Sequence, residues 1–232
     1  MSKQTSDEEV LDTTSMRKII LHLCADTGSD TQPFQDDPEY EVVLVGSDIG
    51  VENFSFATWQ AFHGYDTYVY GIIANPVCLE FSTARSSGKA RNPEAGMFLV
   101  KECLKIIEIA KSYRVLKFWA IENPAKGRLK DFLGKPIYEY EPWWFGSPWT
   151  KKTALWGEFN IPARKYGNWG DVPKNDKLYT RPGRLKPSLA FMHKSAYDLI
   201  PEFWPLERPI NDMEFRSLCS QQFAQAFKEA NK

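Results

Sequence analysis

A cysteine just past a proline at a strand end is held exposed in a fixed turn, and Pro76-Val77-Cys78 offers one. Such a thiol becomes a nucleophile once a helix N-terminus or a nearby cation favours its thiolate, although most lone cysteines are simply small buried hydrophobes. Glu122-Asn123-Pro124 places a carboxyl before a second rigid proline, where it can meet an amidine-like edge such as N3 and N4 of cytosine. Asp48 follows Gly28 by twenty positions. An acid at that distance accepts hydrogen bonds from ribose hydroxyls, while a glycine turn lets the backbone approach the ligand. Gly28 stands alone, without the rest of a phosphate-binding G-x-G-x-x-G, which favours a nucleoside lacking a pyrophosphate over a dinucleotide. An ordinary turn with a surface acid at Asp48 fits the same spacing.

These groups need elements to hold them. The apolar run 19–23 reads as a strand entering the turn Cys24-Ala25-Asp26-Thr27-Gly28-Ser29, and a brief helix must follow before Pro38. Residues 41–46 and 68–74 read as further strands, the second leading into Asn75, Pro76 and Cys78. Residues 93–112 carry Met97, Val100, Leu104 and Ile107 at helical spacing behind Pro93 and Glu94. Strands at 117–121 and 153–157 come next, and 213–230 reads as one closing helix anchored by Phe215, Leu218, Phe223 and Phe227. Alternating strands and helices predict an α/β fold with a mostly parallel sheet. Asp48, Cys78 and Glu122 then share the C-terminal strand edge, where such sheets bind ligands.

The composition suits one folded domain: 232 residues, 43% hydrophobic, 14% aromatic, net charge -1. It excludes disordered, fibrous and disulfide-scaffold classes. The four cysteines, Cys24, Cys78, Cys103 and Cys219, form no C-x-x-C pair, so no metal site is expected and a reducing cytoplasm fits. Cys103 and Cys219 read as packing residues. No apolar stretch is long enough to span a bilayer, so a soluble protein without a membrane partner is expected. Residues 1–15 read as a disordered tail. The near-neutral total conceals residues 161–187, where seven basic residues face two acids for about +5. Arg164, Lys165, Arg181 and Arg184 lie there, interleaved with Tyr166, Trp169 and Tyr179, whose rings could stack on bases. A solvated Gly/Pro-rich loop fits that composition equally well.

On these motifs the chain, over residues 17–230, resembles the cytosine-C5 DNA methyltransferases, in their compact phage-type form. Asn75 to Ser82 is similar to the family's Pro-Pro-Cys-Gln-x-Phe-Ser loop, and Glu122-Asn123-Pro124 to its Glu-Asn-Val. The turn from Leu23 resembles the Phe-x-Gly-x-Gly that holds S-adenosylmethionine. Residues 150–157 resemble the Gln-x-Arg-x-Arg segment, with Lys152 near the second arginine, and residues 216–231 the segment that completes the cofactor site. The resemblance implies a Rossmann-like S-adenosylmethionine-dependent methyltransferase fold. A catalytic core at 16–160 would be followed by a short basic target-recognition-like insertion at 161–211 and a C-terminal helix at 212–232. It implies catalysis by Cys78, Glu122, Lys152 and Ser82, and cofactor contacts from Cys24, Asp26, Thr27, Gly28, Asp48, Ile49, Asn75 and Pro76. DNA would be bound by Lys151, Arg164, Lys165, Tyr166, Trp169, Arg181 and Arg184. The expected product is 5-methylcytosine in DNA, formed in the cytoplasm, that of a bacterial host if the protein is phage-encoded. About 55 residues separate the Lys152 segment from the last helix, little for a recognition domain. A free pyrimidine nucleotide as substrate, a DNA-reading partner subunit, and a silent protein that binds cofactor and nucleic acid therefore stay open.

Overall fold

The computed structural model describes residues 13, 15–46, 50–64, 66–82, 91–200 and 210–232. Asp48 and Ile49 lie outside them, as does most of the expected tail. Apolar runs form β1 (Arg17–Ala25), β2 (Tyr40–Gly46) and β3 (Thr67–Ala74). Every residue of β3 is buried, as expected for a parallel strand covered on both faces. With β4 (Phe118–Pro124), β5 (Tyr138–Tyr140) and β6 (Thr153–Glu158) they make a six-stranded sheet in the order β2-β1-β3-β4-β6-β5.

Helices cover both faces, giving the expected Rossmann-like α/β architecture. α1 (Gln32–Gln35), α2 (Phe56–His63) and α3 (Pro93–Ser112) connect the four parallel strands in turn. α3 starts as its sequence demands, with the Asn92 side chain accepting from Ala95 N–H and Pro93 in the first turn. Its buried stripe joins Leu21, Leu23, Ile72 and Ile121 on one face of the sheet. On the other face Phe34 of α1 and Phe223 and Phe227 of α6 (Gln221–Asn231) close over Ile20, Ile73 and Phe118.

The sheet is mostly parallel, as expected, with an antiparallel end, and one expectation, the single closing helix, is corrected. The sheet's parallel half stops at β4: β6 runs antiparallel to both β4 and β5. Between β4 and β6 lie only the four-residue α4 (Lys130–Leu133), β5 and a single 3-10 turn, and an antiparallel return needs no crossover helix. α2 and β5 gave no clear periodicity in the sequence. The closing helix is two helices, α5 (Asp212–Ser217) and α6, separated at 218–220. Leu218 is extended and Ser220 caps α6 by accepting from Phe223 N–H. The halves serve different cores: Phe215 and Leu218 pack with Trp149, Leu178 and Leu189 beneath the 161–200 segment, while Phe223 and Phe227 pack on the sheet.

Gly71 marks a close approach of side chain to backbone in the sheet, because a Cβ there would lie 2.2 Å from the Phe118 ring. Phe118 is itself wedged against Phe34 and Phe227. Gly71→Ala is therefore expected to destabilise by about 2–3 kcal/mol through overpacking, seen as a fall in Tm of roughly 5–10 °C. An unchanged Tm would show that the aromatic cluster yields.

Candidate active site

The strand order reverses between β1 and β3, since β2 lies beyond β1 on one side and β4 beyond β3 on the other. Ligands bind outside the carboxyl ends of strands at such a switch point. The chain places there the turn 24–29 after β1, residues 75–78 after β3 and, one strand along, Glu122.

Cys78 sits in a pinned turn. Its carbonyl accepts from Phe81 N–H at 3.0 Å and Ser82 N–H at 2.8 Å, and buried Phe81 roots the loop in the core. Asn123, the buried neighbour of Glu122, donates from Nδ2 to the Pro76 carbonyl at 3.0 Å, so the two motifs are tied by one bond. Asn75 Nδ2 faces Glu122 Oε2 at 3.5 Å.

The electrostatics follow from this packing. Burial pushes the part-buried Glu122 carboxyl up to about 7, Asp30 adds to the rise, and Lys151 and the Asn75 amide oppose it. Burial and the Glu122 carboxylate push the Cys78 thiol up, against the pull of Lys151 and Arg91. Near neutral pH the pair therefore holds at least one proton. Lys151 is fixed by the Ser217 carbonyl at 2.6 Å and the Leu218 carbonyl at 3.1 Å, both exposed by the break between α5 and α6. Lys152, the next residue, is instead half-exposed and paired with Glu139 at 2.5 Å. The cation brought to the pair is thus Lys151, expected from the sequence to contact nucleic acid, and not Lys152.

The turn after β1 binds itself together. Thr27 Oγ1 donates to Ser29 Oγ at 3.1 Å, and Ser29 Oγ accepts from Cys219 N–H at 3.0 Å. Gly28 has φ +71° and Cys24 φ +54°, and Cys24 leans on Cys103 with Sγ atoms 3.7 Å apart. Asp26 is exposed, and both it and Asp30 bear on buried His22. An acidic turn suits the sulfonium and ammonium charges of S-adenosylmethionine and repels a pyrophosphate, so its donor set fits that cofactor. Among the described residues no three His, Cys, Asp or Glu side chains converge on a metal-binding arrangement.

The basic segment is placed in two parts. Arg164 lies over Trp144, Lys165 over Tyr166, and Lys174 and Lys186 over Trp169. The Tyr166 and Trp169 rings, expected to meet bases, already carry cations. Arg181, Arg184, Lys186 and Lys126, with Tyr179, line a cleft of about 550 Å³. It reaches Thr150, beside Lys151, and so borders the same edge. Sequence reasoning missed His22, Asp30 and Thr31, and gave Asn123 no role of its own within the Glu122-Asn123-Pro124 motif. A histidine inside the apolar run 19–23 was the one signal for the first.

Fold and site together define a Rossmann-like α/β protein with a thiol–carboxyl pair at its ligand-binding edge. No family model and no curated protein matches the sequence. Among solved structures, the chain is similar to a prophage-encoded protein of E. coli described as a candidate DNA modification methyltransferase. The TM-score is 0.45 and the identity 13%, over 72% of this chain and 56% of that one. The chain thus spans little more than half that neighbour's length, and a likeness of this degree says nothing of activity. No helix among the described residues is long and apolar enough to cross a membrane.

Proposed function

We propose that this protein transfers the methyl group of S-adenosylmethionine to C5 of cytosine in DNA through a covalent Cys78 adduct. The observation that carries the reading is the Cys78–Glu122 pair, held on neighbouring strand ends with a carboxyl that titrates near neutrality. Cytosine C5 is a weak nucleophile. Attack of the Cys78 thiolate on C6 makes the ring an enamine, and a proton held by Glu122 at N3 stabilises the charge that develops. Lys151 favours the thiolate and the ionised carboxyl alike. When bound, S-adenosylmethionine supplies an electrophilic methyl; loss of the C5 proton and elimination of Cys78 then restore the ring. A duplex cytosine must leave the stack to reach this edge. Incubation with labelled S-adenosylmethionine and, in parallel, DNA, RNA and dCTP tests the assignment: label is expected in DNA, label in dCTP would make the protein a nucleotide enzyme, and label in none would make it a silent binder or one that needs a DNA-reading partner.

The cationic cleft supports a polymeric substrate. Phosphate contacts release counterions, so log affinity for oligonucleotides is expected to fall with log salt by several units of slope. Replacing Arg181 and Arg184 with glutamine is expected to flatten that slope by up to about two units and to weaken all sequences alike. A flat dependence in both proteins would remove DNA from the reading.

A further inference from the structure

His22 is buried in β1, and the chemistry above gives it no part. Its Nδ1 lies 3.0 Å from Thr31 Oγ1, and its Nε2 lies 2.9 Å from Asn75 Oδ1. Thr31 Oγ1 lies 3.1 Å from the Gly28 carbonyl, and the Asn75 amide faces Glu122. An unbroken polar row thus joins the turn after β1 to the carboxyl.

Hydrogen counting limits what this row can be. A neutral imidazole has one donor and one acceptor, a hydroxyl gives one hydrogen, and an amide can be turned over. With any Glu122 proton on the oxygen that faces Asn75, two arrangements match each donor along the row to an acceptor. In the first, Thr31 donates to Nδ1, Nε2–H donates to the Asn75 carbonyl, and the Asn75 NH2 donates to an ionised Glu122. In the second, Thr31 donates to the Gly28 carbonyl, Nδ1–H donates to Thr31, the inverted Asn75 NH2 donates to Nε2, and protonated Glu122 donates to the Asn75 carbonyl. Mixing them, with Thr31 on Gly28 and the Asn75 carbonyl at Nε2, needs a hydrogen on both ring nitrogens. Burial of His22 opposes that charge.

We propose that Thr31, His22 and Asn75 are positioning residues forming a two-state hydrogen-bond relay, whose polarity follows the proton on Glu122 and is felt at the Gly28 carbonyl. Passing from the first state to the second adds one proton, at Glu122. The imidazole keeps a single hydrogen, relocated from Nε2 to Nδ1, and the Asn75 amide turns through half a rotation. The catalytic meaning rests on the cytosine-C5 reading: Glu122 can give and regain a proton without stranding a buried donor beneath it. The charged and titratable groups facing Glu122 are Lys151, Asp30, Cys78, Tyr140 and Cys219, and those facing His22 are Asp26 and Asp30.

The test uses the full chain labelled with ¹³C at glutamate carboxyls and ¹⁵N at histidine rings, without cofactor or nucleic acid. Glu122 is assigned by its loss in Glu122→Gln, and His22 by its loss in His22→Gln. The carboxyl and ring signals are expected to change with one shared midpoint, the ring passing between two neutral tautomers. In Glu122→Gln the ring is expected to stay in one tautomer at every pH. Thr31→Val leaves a buried Nδ1–H with no acceptor in the second state but only an unprotonated ring nitrogen with no donor in the first, a smaller cost, so the Glu122 midpoint should fall by about one pH unit, while Thr31→Ser should keep it. A ring that stays unchanged through the Glu122 titration, or that becomes imidazolium, overturns the relay even where Thr31→Val fails to fold. Failure of the methylation reading shows instead in the labelled-cofactor assay, with the coupled titration intact.

Discussion

Cys78→Ser is expected to abolish methyl transfer, by about 10⁴-fold or more, while S-adenosylmethionine binding stays within about twofold. A hydroxyl in the same turn has a far higher pKa than a thiol, and Lys151 cannot make an alkoxide of it at neutral pH. The loop itself should persist, because it is pinned by backbone bonds to the Cys78 carbonyl and by Asn123 on Pro76. DNA carrying 5-fluorocytosine supplies the positive control. Fluorine cannot leave C5 as a proton does, so the wild type should remain covalently attached to the strand on a denaturing gel and the serine variant should not. Turnover by the serine variant would remove Cys78 from the mechanism.

Glu122→Gln carries the second large effect, an expected loss of about 10²–10⁴-fold in kcat/KM. The Cys78–Glu122 pair holds two protons in acid, one above about pH 7 and none above the raised value of the thiol. Under the proposed cytosine-C5 mechanism the one-proton form is the active one, with thiolate beside carboxylic acid. Wild-type kcat/KM should therefore rise with a midpoint near 7 and fall again as the pair loses its last proton above the raised value of the thiol, and the glutamine variant should lose the rising limb. Stability should move the opposite way. A carboxyl raised from its ordinary 4.5 to about 7 in the folded protein favours folding fully below pH 4.5, and that contribution is lost as pH rises through 7. Between pH 5 and 8 the wild type is thus expected to lose about 2–3 kcal/mol relative to Glu122→Gln. Thermal melts at both pH values check this, and parallel behaviour of the two proteins would mean that Glu122 is not desolvated.

The strands and α3 were legible because each buries its own local pattern: the apolar runs of β1 and β3, and the stripe and Asn92-Pro93 start of α3. Cys78 and Glu122 were legible because rigid neighbours flank them in sequence. What escaped depends on contacts distant in the chain. The antiparallel sense of β6 follows from pairing with β4, and the break before Ser220 follows from two cores pulling on one apolar stripe. Lys151 and Lys152 are equivalent cations in the sequence. The alternation of a strand entering the sheet separates them, turning one to the α5–α6 break and the other to Glu139. His22 looked like one more member of an apolar run, and its meaning needs Asn75, 53 positions later.

The carbonyls that fix Lys151 come from residues 66 and 67 positions further on, and Lys228 in α6 reaches back to Asp37 and to the Pro33 carbonyl. A chain emerging from the ribosome can therefore pair β1 to β4 and close the Cys78 turn well before its thiol has a fixed cation beside it. If Cys78 is the nucleophile, it gains the fixed charge of Lys151 only once α5 and α6 have folded, so it is left without that cation through most of the synthesis of the catalytic half.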